Sequence, residues 1–198
     1  DWHFDKNFVE NYLLSASKNN IDIIELGFRF IKYDPQKGPY AYSDEKFINS
    51  LKLPRNLRYA VMINADEYIS DPELIKKKFI KKNKSKISLV RIAINFDKAL
   101  LGKQITIELK KLGYDVGFNL MQPHDKKNYE YENIGKEINK WKTVDILYFA
   151  DSLGCLNPVS VVNIINKLKI NWKKKIGFHP HDNRRMALAN SLKAIETN

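Results

Sequence analysis

The chain has 198 residues, of which 43% are hydrophobic and 29% are charged. These values predict one globular domain, residues 1–198, with a sizeable core. Its apolar runs are shorter than the ~20 residues of a membrane span, and its first residues lack a signal-peptide pattern, so no membrane association is expected. Cys155 is the single cysteine, which excludes an internal disulfide and is typical of a cytoplasmic protein.

The net charge of +11 is concentrated in two lysine-rich segments, Lys76–Lys86 and Lys173–Lys175. Arginine, which reads bases and phosphates better than lysine, is scarce. No helix-turn-helix, zinc-finger or RNA-binding signature accompanies the lysines. The pattern favours a solvated lysine surface and no nucleic-acid partner, with a non-catalytic basic binding module as an alternative function.

Strand and helix patterns alternate along the chain. A helical pattern at about residues 5–17 comes first, and another at about residues 184–196 comes last. Between them are six runs rich in β-branched and aromatic residues, whose starts are 26 to 37 residues apart. These six predicted strands are Ile21–Gly27, Arg58–Asn64, Ser88–Ile94, Tyr114–Leu120, Asp145–Ala150 and Lys175–Phe178.

Helix boundaries carry their own signals. Asp71-Pro72 and Asn157-Pro158 each predict an N-cap followed by a proline in the first helical turn. Gly113 follows a helical pattern and predicts a left-handed C-terminal cap.

Alternation with a period near 30 residues predicts βα units and a parallel sheet. We expect an α/β fold of the TIM (β/α)₈-barrel type. A whole barrel takes ~250 residues and eight strands, so about six βα units are expected here, with the first strand and the eighth unit missing. The competing architecture is a doubly wound open sheet, although no predicted strand leads into a G-x-G-x-x-G or Walker A loop.

Polar residues follow the predicted strands, where a barrel carries its chemistry. An interior does not tolerate such groups unpaired, so they are candidates for a site. In chain order they are Glu25, Arg29, Asn64, Asp66, Arg91, Asn95, Asn119, Gln122, His124, Asp151, Ser152, His179 and His181.

The most specific pattern is His179-Pro180-His181. Residues i and i+2 of a strand project to the same face, so the two imidazoles are placed to chelate one cation. The alternative is a pair of histidines in an exposed loop. A catalytic metal usually has three protein ligands, so two histidines make an incomplete set, and Asp151 on the neighbouring strand either caps the next helix or supports a ligand.

Several segments resemble one family. Residues 21–29, with the sequence IDIIELGFR, resemble the second strand of 4-hydroxy-2-oxovalerate aldolase-like proteins. These proteins belong to the metal-dependent pyruvate carboxyltransferase and 3-hydroxy-3-methylglutaryl-CoA lyase superfamily. Residues 150–154 (ADSLG) and 177–183 (GFHPHDN), followed by ALANS at 187–191, resemble its sixth and seventh strands. Residues 90–93 and 117–121 fit the fourth and fifth strands.

The resemblance implies cleavage of a 4-hydroxy-2-oxo acid to pyruvate and an aldehyde, with His179 and His181 as ligands of Mn²⁺ or Mg²⁺. It also implies that the third ligand is an aspartate of an R-D-G motif upstream of Asp1. A hard cation suits the oxygen-rich 2-oxo acid substrate, and it would act as a Lewis acid for the enolate.

Other roles are open. His124 and His3 are candidates for the general base. Glu25 and Arg91 form either an interior ion pair or, through Arg91 or Arg29, a site for the substrate carboxylate. Substrate contacts are expected from Asn119, Gln122, Asp151 and Ser152.

The resemblance leaves a second enzymatic alternative, a Claisen-type acyltransferase or acyl-CoA lyase of the same superfamily. It also implies an acylating aldehyde dehydrogenase as a partner of some aldolases of this type. A homo-oligomer is compatible with the sequence.

Overall fold

The computed structural model of the protein describes residues 2–197. Its centre is one sheet of six parallel strands in the sequential order β1-β2-β3-β4-β5-β6. All six predicted strands are confirmed, with ends that differ by at most two residues. The strands are β1 Ile23–Phe28, β2 Arg58–Asn64, β3 Ile87–Asn95, β4 Asp115–Met121, β5 Ile146–Ala150 and β6 Lys175–His179.

Helices connect the strands and flank the sheet at both ends of the chain. The α-helices are α1 Lys6–Ser17, α2 Glu45–Ser50, α3 Leu74–Lys78, α4 Lys103–Lys111, α5 Asn128–Trp141, α6 Pro158–Asn171 and α7 Ala187–Thr197. Short 3₁₀ turns lie at Pro39–Ala41, Ala65–Glu67, Lys82–Lys84 and Phe96–Gly102. Within residues 2–197 we find no helix with the length and apolarity that a membrane crossing requires.

The strand order decides between the two predicted architectures. A doubly wound sheet reverses its order near the middle and places helices on both faces. Here each strand pairs with the next strand in the chain, so right-handed crossovers put the connecting helices on one side. The sheet therefore curls into part of a (β/α)₈ barrel, as predicted, and the open-sheet alternative is wrong.

The two faces of the sheet differ in chemistry. One face packs against the helices through apolar side chains such as Val90, Phe118 and Phe149, and this is the hydrophobic core. The alternate residues point to the concave inner face, among them Arg91 on β3, Asn119 on β4 and Tyr148 on β5. The concave side of the sheet is thus lined by polar side chains. The open mouth of this concave side lies at the C-terminal ends of the strands.

Two of the three predicted helix boundaries are confirmed. Asn157 caps α6 by accepting from the N–H of Ser160, and Gly113 follows α4 with a φ of +89°. Asp71 accepts instead from the N–H of Glu73 and forms a turn before α3, which begins at Leu74.

The last helix begins three residues after the start predicted from the sequence, which was about residue 184. α7 starts at Ala187, because the carboxylate of Asp182 accepts from the N–H of Ala187 and Arg185 has a φ of +57°. A left-handed residue cannot continue an α-helix.

Candidate functional site

His179 and His181 lie side by side at the C-terminal end of β6. Their ring centroids are 5.0 Å apart and the rings are tilted by 51°. Pro180 between them has no N–H and restricts the backbone, which keeps the two rings on one side. The same-face arrangement that the H-x-H spacing predicts is therefore present in the structure.

The second histidine is held by the neighbouring strand. Nδ1 of His181 lies 2.8 Å from the carbonyl oxygen of Asp151, which follows β5. A carbonyl only accepts, so Nδ1 carries the proton and donates it. The other ring nitrogen, Nε2, takes no part in this contact, so it is the nitrogen available to a cation.

His179 is in a different environment. Burial, with a smaller effect from the nearby charge of Arg91, lowers the pKa of His179 to about 4. The imidazole is therefore neutral at pH 7 and keeps a lone pair. Nη2 of Arg91 lies 3.5 Å from Nδ1 of His179.

Arg91 links the histidines to the opposite side of the inner face. Its Nη1 donates to Oε2 of Glu25 over 3.0 Å, and its guanidinium lies 4.4 Å above the ring of Tyr148. The ion pair between Glu25 and Arg91 predicted from the sequence is thus formed. Burial raises the pKa of Glu25, and the Arg91 charge offsets only part of that effect.

Asp151 supports the site through its backbone as well as its side chain. Its N–H donates to the carbonyl of His179, next to the contact between its own carbonyl and His181. Its carboxylate is buried and accepts from the N–H groups of Cys155 and Leu156. The side chain therefore shapes the loop after β5, and the backbone of the same residue orients both histidine segments.

Three polar side chains join the loops at the mouth. The side-chain oxygen of Gln122 accepts from Asn95 over 2.8 Å, and the N–H of Gln122 donates to Oγ of Ser152 over 3.2 Å. Gln122 has a φ of +54°, so the turn after β4 is held in a strained shape by these contacts. Gln122 and Ser152 are brought together as neighbours in one network.

Asn119 lies deeper, on the inner face of β4. It is 2% exposed, and its Oδ1 has no hydrogen-bond partner within residues 2–197. An unpaired buried acceptor is uncommon and marks a place where a ligand or water belongs.

The structure places two predicted residues away from this cluster. Arg29 is 2% exposed, and its guanidinium donates to the carbonyls of Ser43 and Lys78 and to Glu45. The expectation that Arg29 binds substrate does not fit this position, because its contacts tie the β1 segment to α2 and α3.

His124 lines a cavity of about 520 Å³ between the loops after β4 and β5, beside Asp125, Cys155 and Ser160. His3 lies near the other end of the chain, with its Nε2 3.2 Å from the carbonyl of Gln36. The roles of both histidines as a base stay predictions.

One inner-face residue, Tyr148, was missed by the sequence analysis. Its ring packs against the Arg91 guanidinium and lies beside Gly117 of β4 and Gly177 of β6. A glycine inside a strand often marks a close approach of another group. Two such glycines, in the strands on either side of β5, were the signal available in the sequence.

The two histidines fit a divalent cation as part of a ligand set. The two rings share one side of the strand end, His179 is neutral at pH 7, and Nε2 of His181 takes no part in the contact with Asp151. Across residues 2–197, no group of three or more His, Cys, Asp and Glu side chains is close enough to hold a metal ion. A cation here would take its other ligands from water, substrate or a group outside this set.

Known structures share this fold. The crystal structure of the N-terminal domain of an aldolase candidate from Bacteroides vulgatus is similar with a TM-score of 0.88 and 26% identity, over 98% of this chain and 64% of that chain. The carboxyl transferase domain of Rhizobium etli pyruvate carboxylase, solved with pyruvate and biocytin, gives a TM-score of 0.60 over 72% of this chain and 26% of that one. At 17% identity, the second match shows the fold alone.

Sequence relatives agree with the structural ones. The 4-hydroxy-2-oxovalerate aldolase of Geobacillus thermodenitrificans is 35% identical over 111 residues, and that of Chloroflexus aurantiacus is 32% identical over 111 residues. Each alignment covers 56% of this chain and 32% of the relative, so the chain spans about a third of these relatives. The HMGL-like family model matches residues 79–197, more than half of the chain. The chain therefore belongs to the HMGL-like family.

Proposed function

We propose that the intact protein is a divalent-metal-dependent carbon–carbon lyase that cleaves a 4-hydroxy-2-oxo acid to pyruvate and an aldehyde. The observation that carries the proposal is the pair of adjacent imidazoles, His179 and His181, at the mouth of the barrel. The names of the sequence relatives support the substrate class.

In the proposed reaction, a base takes the proton of the C4 hydroxyl and the C3–C4 bond breaks. The aldehyde leaves, the bond electrons form the enolate of pyruvate, and C3 then takes up a proton. When bound, Mn²⁺ or Mg²⁺ would supply Lewis-acid stabilisation of the developing negative charge, worth several kcal/mol. The third protein ligand, an aspartate upstream of Asp1, stays a prediction.

The chain's own residues would orient the substrate. Arg91 offers a guanidinium on the inner face, held by Glu25 on one side, and suits a carboxylate. Asn119 offers an amide whose oxygen is unpaired, and Gln122 and Ser152 line the loops above it.

The test is pyruvate release from 4-hydroxy-2-oxo acids by the intact protein, in EDTA and after addition of Mn²⁺ or Mg²⁺. The proposal expects turnover that needs the cation and is lost in His179→Ala and His181→Ala. Acetyl-CoA with a 2-oxo acid, and acyl-CoA substrates, are assayed in parallel. Turnover of those compounds alone would replace the aldolase with the acyltransferase or acyl-CoA lyase alternative.

A second experiment tests the alternative that the protein is a non-catalytic basic binding module. That alternative predicts salt-sensitive binding of nucleic acid and no binding of a divalent cation. Metal-dependent turnover without such binding would reject it. An acylating aldehyde dehydrogenase partner and a homo-oligomer stay predictions for the intact protein.

A further inference from the structure

The ring of Tyr148, on β5, lies between glycines of the two flanking strands, Gly117 on β4 and Gly177 on β6. A Cβ atom built on Gly177 would be 2.1 Å from Cδ1 of Tyr148, and one on Gly117 would be 3.0 Å from its Cε2. Real Cβ atoms essentially never come within 3.0 Å of another atom, so a side chain at Gly177 would displace the ring, and the approach at Gly117 is tighter than most real contacts. The two glycines form a shallow groove on β4 and β6 that the aromatic ring fills.

The guanidinium of Arg91 packs against one face of the same ring. The Cζ atom of Arg91 lies 4.4 Å from the ring centroid, within the range of a cation–π contact. Nε of Arg91 is buried without a hydrogen-bond partner among residues 2–197. The guanidinium is therefore positioned by three contacts, with the ring face of Tyr148, with Glu25 and with His179.

The space beside the Cα atom of Gly117 is limited by two neighbouring side chains. Its missing Cβ would also lie 2.9 Å from Cγ of Arg91, so the glycine makes room for the stem of Arg91 as well as for the ring. Arg91 and Gly117 are register partners on β3 and β4, which puts the arginine stem directly over the glycine. The stacked arrangement is thus built from four residues on four adjacent strands.

We propose that Tyr148 is a positioning residue whose ring face fixes the Arg91 guanidinium between Glu25 and His179, in the groove that Gly117 and Gly177 provide. The inference rests on the proposed function for its kinetic consequence, because Arg91 is there the group that binds the substrate carboxylate. Its structural part stands on the stacking geometry alone.

The ring face, rather than the hydroxyl, carries the proposed role. A cation–π contact needs the aromatic surface, which phenylalanine shares with tyrosine. Burial raises the pKa of Tyr148, so the phenol is neutral at pH 7 and adds no charge to hold the arginine. Tyr148→Phe is therefore the conservative variant, and Tyr148→Leu is the one that removes the aromatic face.

The experiment compares Tyr148→Phe, Tyr148→Leu, Arg91→Met and the double variant Tyr148→Leu/Arg91→Met in the intact protein. The first readout is NMR of the Arg91 side chain, whose protons are shifted upfield by the ring current. We expect Tyr148→Phe to keep that shift and Tyr148→Leu to lose it. Tyr129→Leu, an exposed position on α5, is the matched control and should leave the Arg91 signal unchanged.

The second readout is kinetic. Tyr148→Leu is expected to raise the KM for the 2-oxo acid about tenfold, with a smaller change in kcat, and Tyr148→Phe to restore the wild-type KM within about twofold. In the Arg91→Met background the leucine change should add nothing, because the tyrosine acts through the arginine.

Three results would overturn the proposal. These are an Arg91 signal unchanged in Tyr148→Leu, a defect in Tyr148→Phe equal to that of leucine, and additive effects in the double variant. Urea unfolding checks the fold of each variant, and Tyr148→Met replaces leucine if the latter does not fold. If no 2-oxo acid is turned over, the proposed function fails while the Arg91 signal still decides the positioning role.

Discussion

Nη2 of Arg91 lies 3.5 Å from Nδ1 of His179, across the inner face of the curled sheet. A guanidinium can only donate, so in this contact Nδ1 accepts and the imidazole proton is on Nε2. A cation held through Nε2 would require the proton on Nδ1, and Arg91 would then lose this acceptor. The same arginine nitrogen would be free for another acceptor, such as a substrate carboxylate.

Removing either imidazole should weaken metal binding. His179→Ala and His181→Ala are each expected to weaken Mn²⁺ binding about 100-fold or more, because each removes one of the two imidazole ligands. Titration of the intact protein followed by the Mn²⁺ electron paramagnetic resonance signal measures the affinity. His3→Ala should bind as the wild type does, and equal losses in all three variants would argue against the His179 and His181 site.

The carboxylate of Asp151 should matter for stability and for His181 together. Asp151→Ala leaves the N–H groups of Cys155 and Leu156 unpaired, at an expected cost of about 1–3 kcal/mol in the free energy of unfolding. The loop also carries the carbonyl that orients His181, so Mn²⁺ binding should weaken in the same variant.

Asp151→Asn keeps an acceptor oxygen, so it should reduce the free energy of unfolding and the Mn²⁺ affinity less than Asp151→Ala does. Urea unfolding and Mn²⁺ titration of the two variants make the measurement. If Asp151→Ala matched the wild type in both assays, the carboxylate would have no part in shaping the loop.

Glu25 should make its own contribution to the pH dependence of stability. Because its pKa is raised in the folded protein above the ordinary value of 4.5, the folded state takes up this proton first as the pH falls. The wild type therefore gains stability through that range, and the gain is complete below the unfolded value. Glu25→Gln removes the gain.

The stability of Glu25→Gln relative to the wild type should accordingly be highest near pH 7 and decrease on acidification. Urea midpoints between pH 7.5 and 4.5 give this difference. Glu196→Gln changes the same charge on exposed helix α7 and serves as the control. A constant difference across the pH range for Glu25→Gln would contradict a raised pKa.

The ion pair of Glu25 and Arg91 should be costly to break from one side. Arg91→Met leaves the Glu25 carboxylate partly buried and unpaired, and we expect a loss of about 1–3 kcal/mol, less than for a fully buried pair. Arg91→Met/Glu25→Gln should recover part of the loss, since the charge left behind is then removed.

A double-mutant cycle by urea unfolding measures the coupling. The exposed pair Lys193 and Glu196 on α7 gives the comparison, with an expected coupling below about 0.5 kcal/mol. Equal coupling in the two pairs would show that the interior position of Arg91 contributes nothing.

The elements of the fold were accessible from the sequence because local patterns encode them. Val90, Phe118 and Phe149 lie in short apolar runs of period two, and helical periodicity between such runs indicates βα units. The pairing of His179 with His181 is equally local, because alternate residues of a strand share a face. The exact start of α7 was not accessible, since it depends on the left-handed conformation of Arg185.

Contacts between residues far apart in the chain could not be predicted from local sequence patterns. Arg91 contacts Glu25, 66 residues earlier in the chain, and His179, 88 residues later. Arg29 has the same polar-after-strand pattern as the site residues, yet it is buried against Ser43 and Glu45 on the outer side. Nothing within a local window distinguishes the two arginines.

By itself, the sequence determined the alternation of strands and helices, the parallel sheet and the two imidazoles on one side of a strand end, because spacing along the chain fixes each of these. The tertiary structure alone decided that Arg91 rather than Arg29 lies on the inner face, and that Tyr148 supports it between Gly117 and Gly177. The physical reason is that strand order and curvature bring residues from different strands together, and that proximity depends on the packing of the whole sheet.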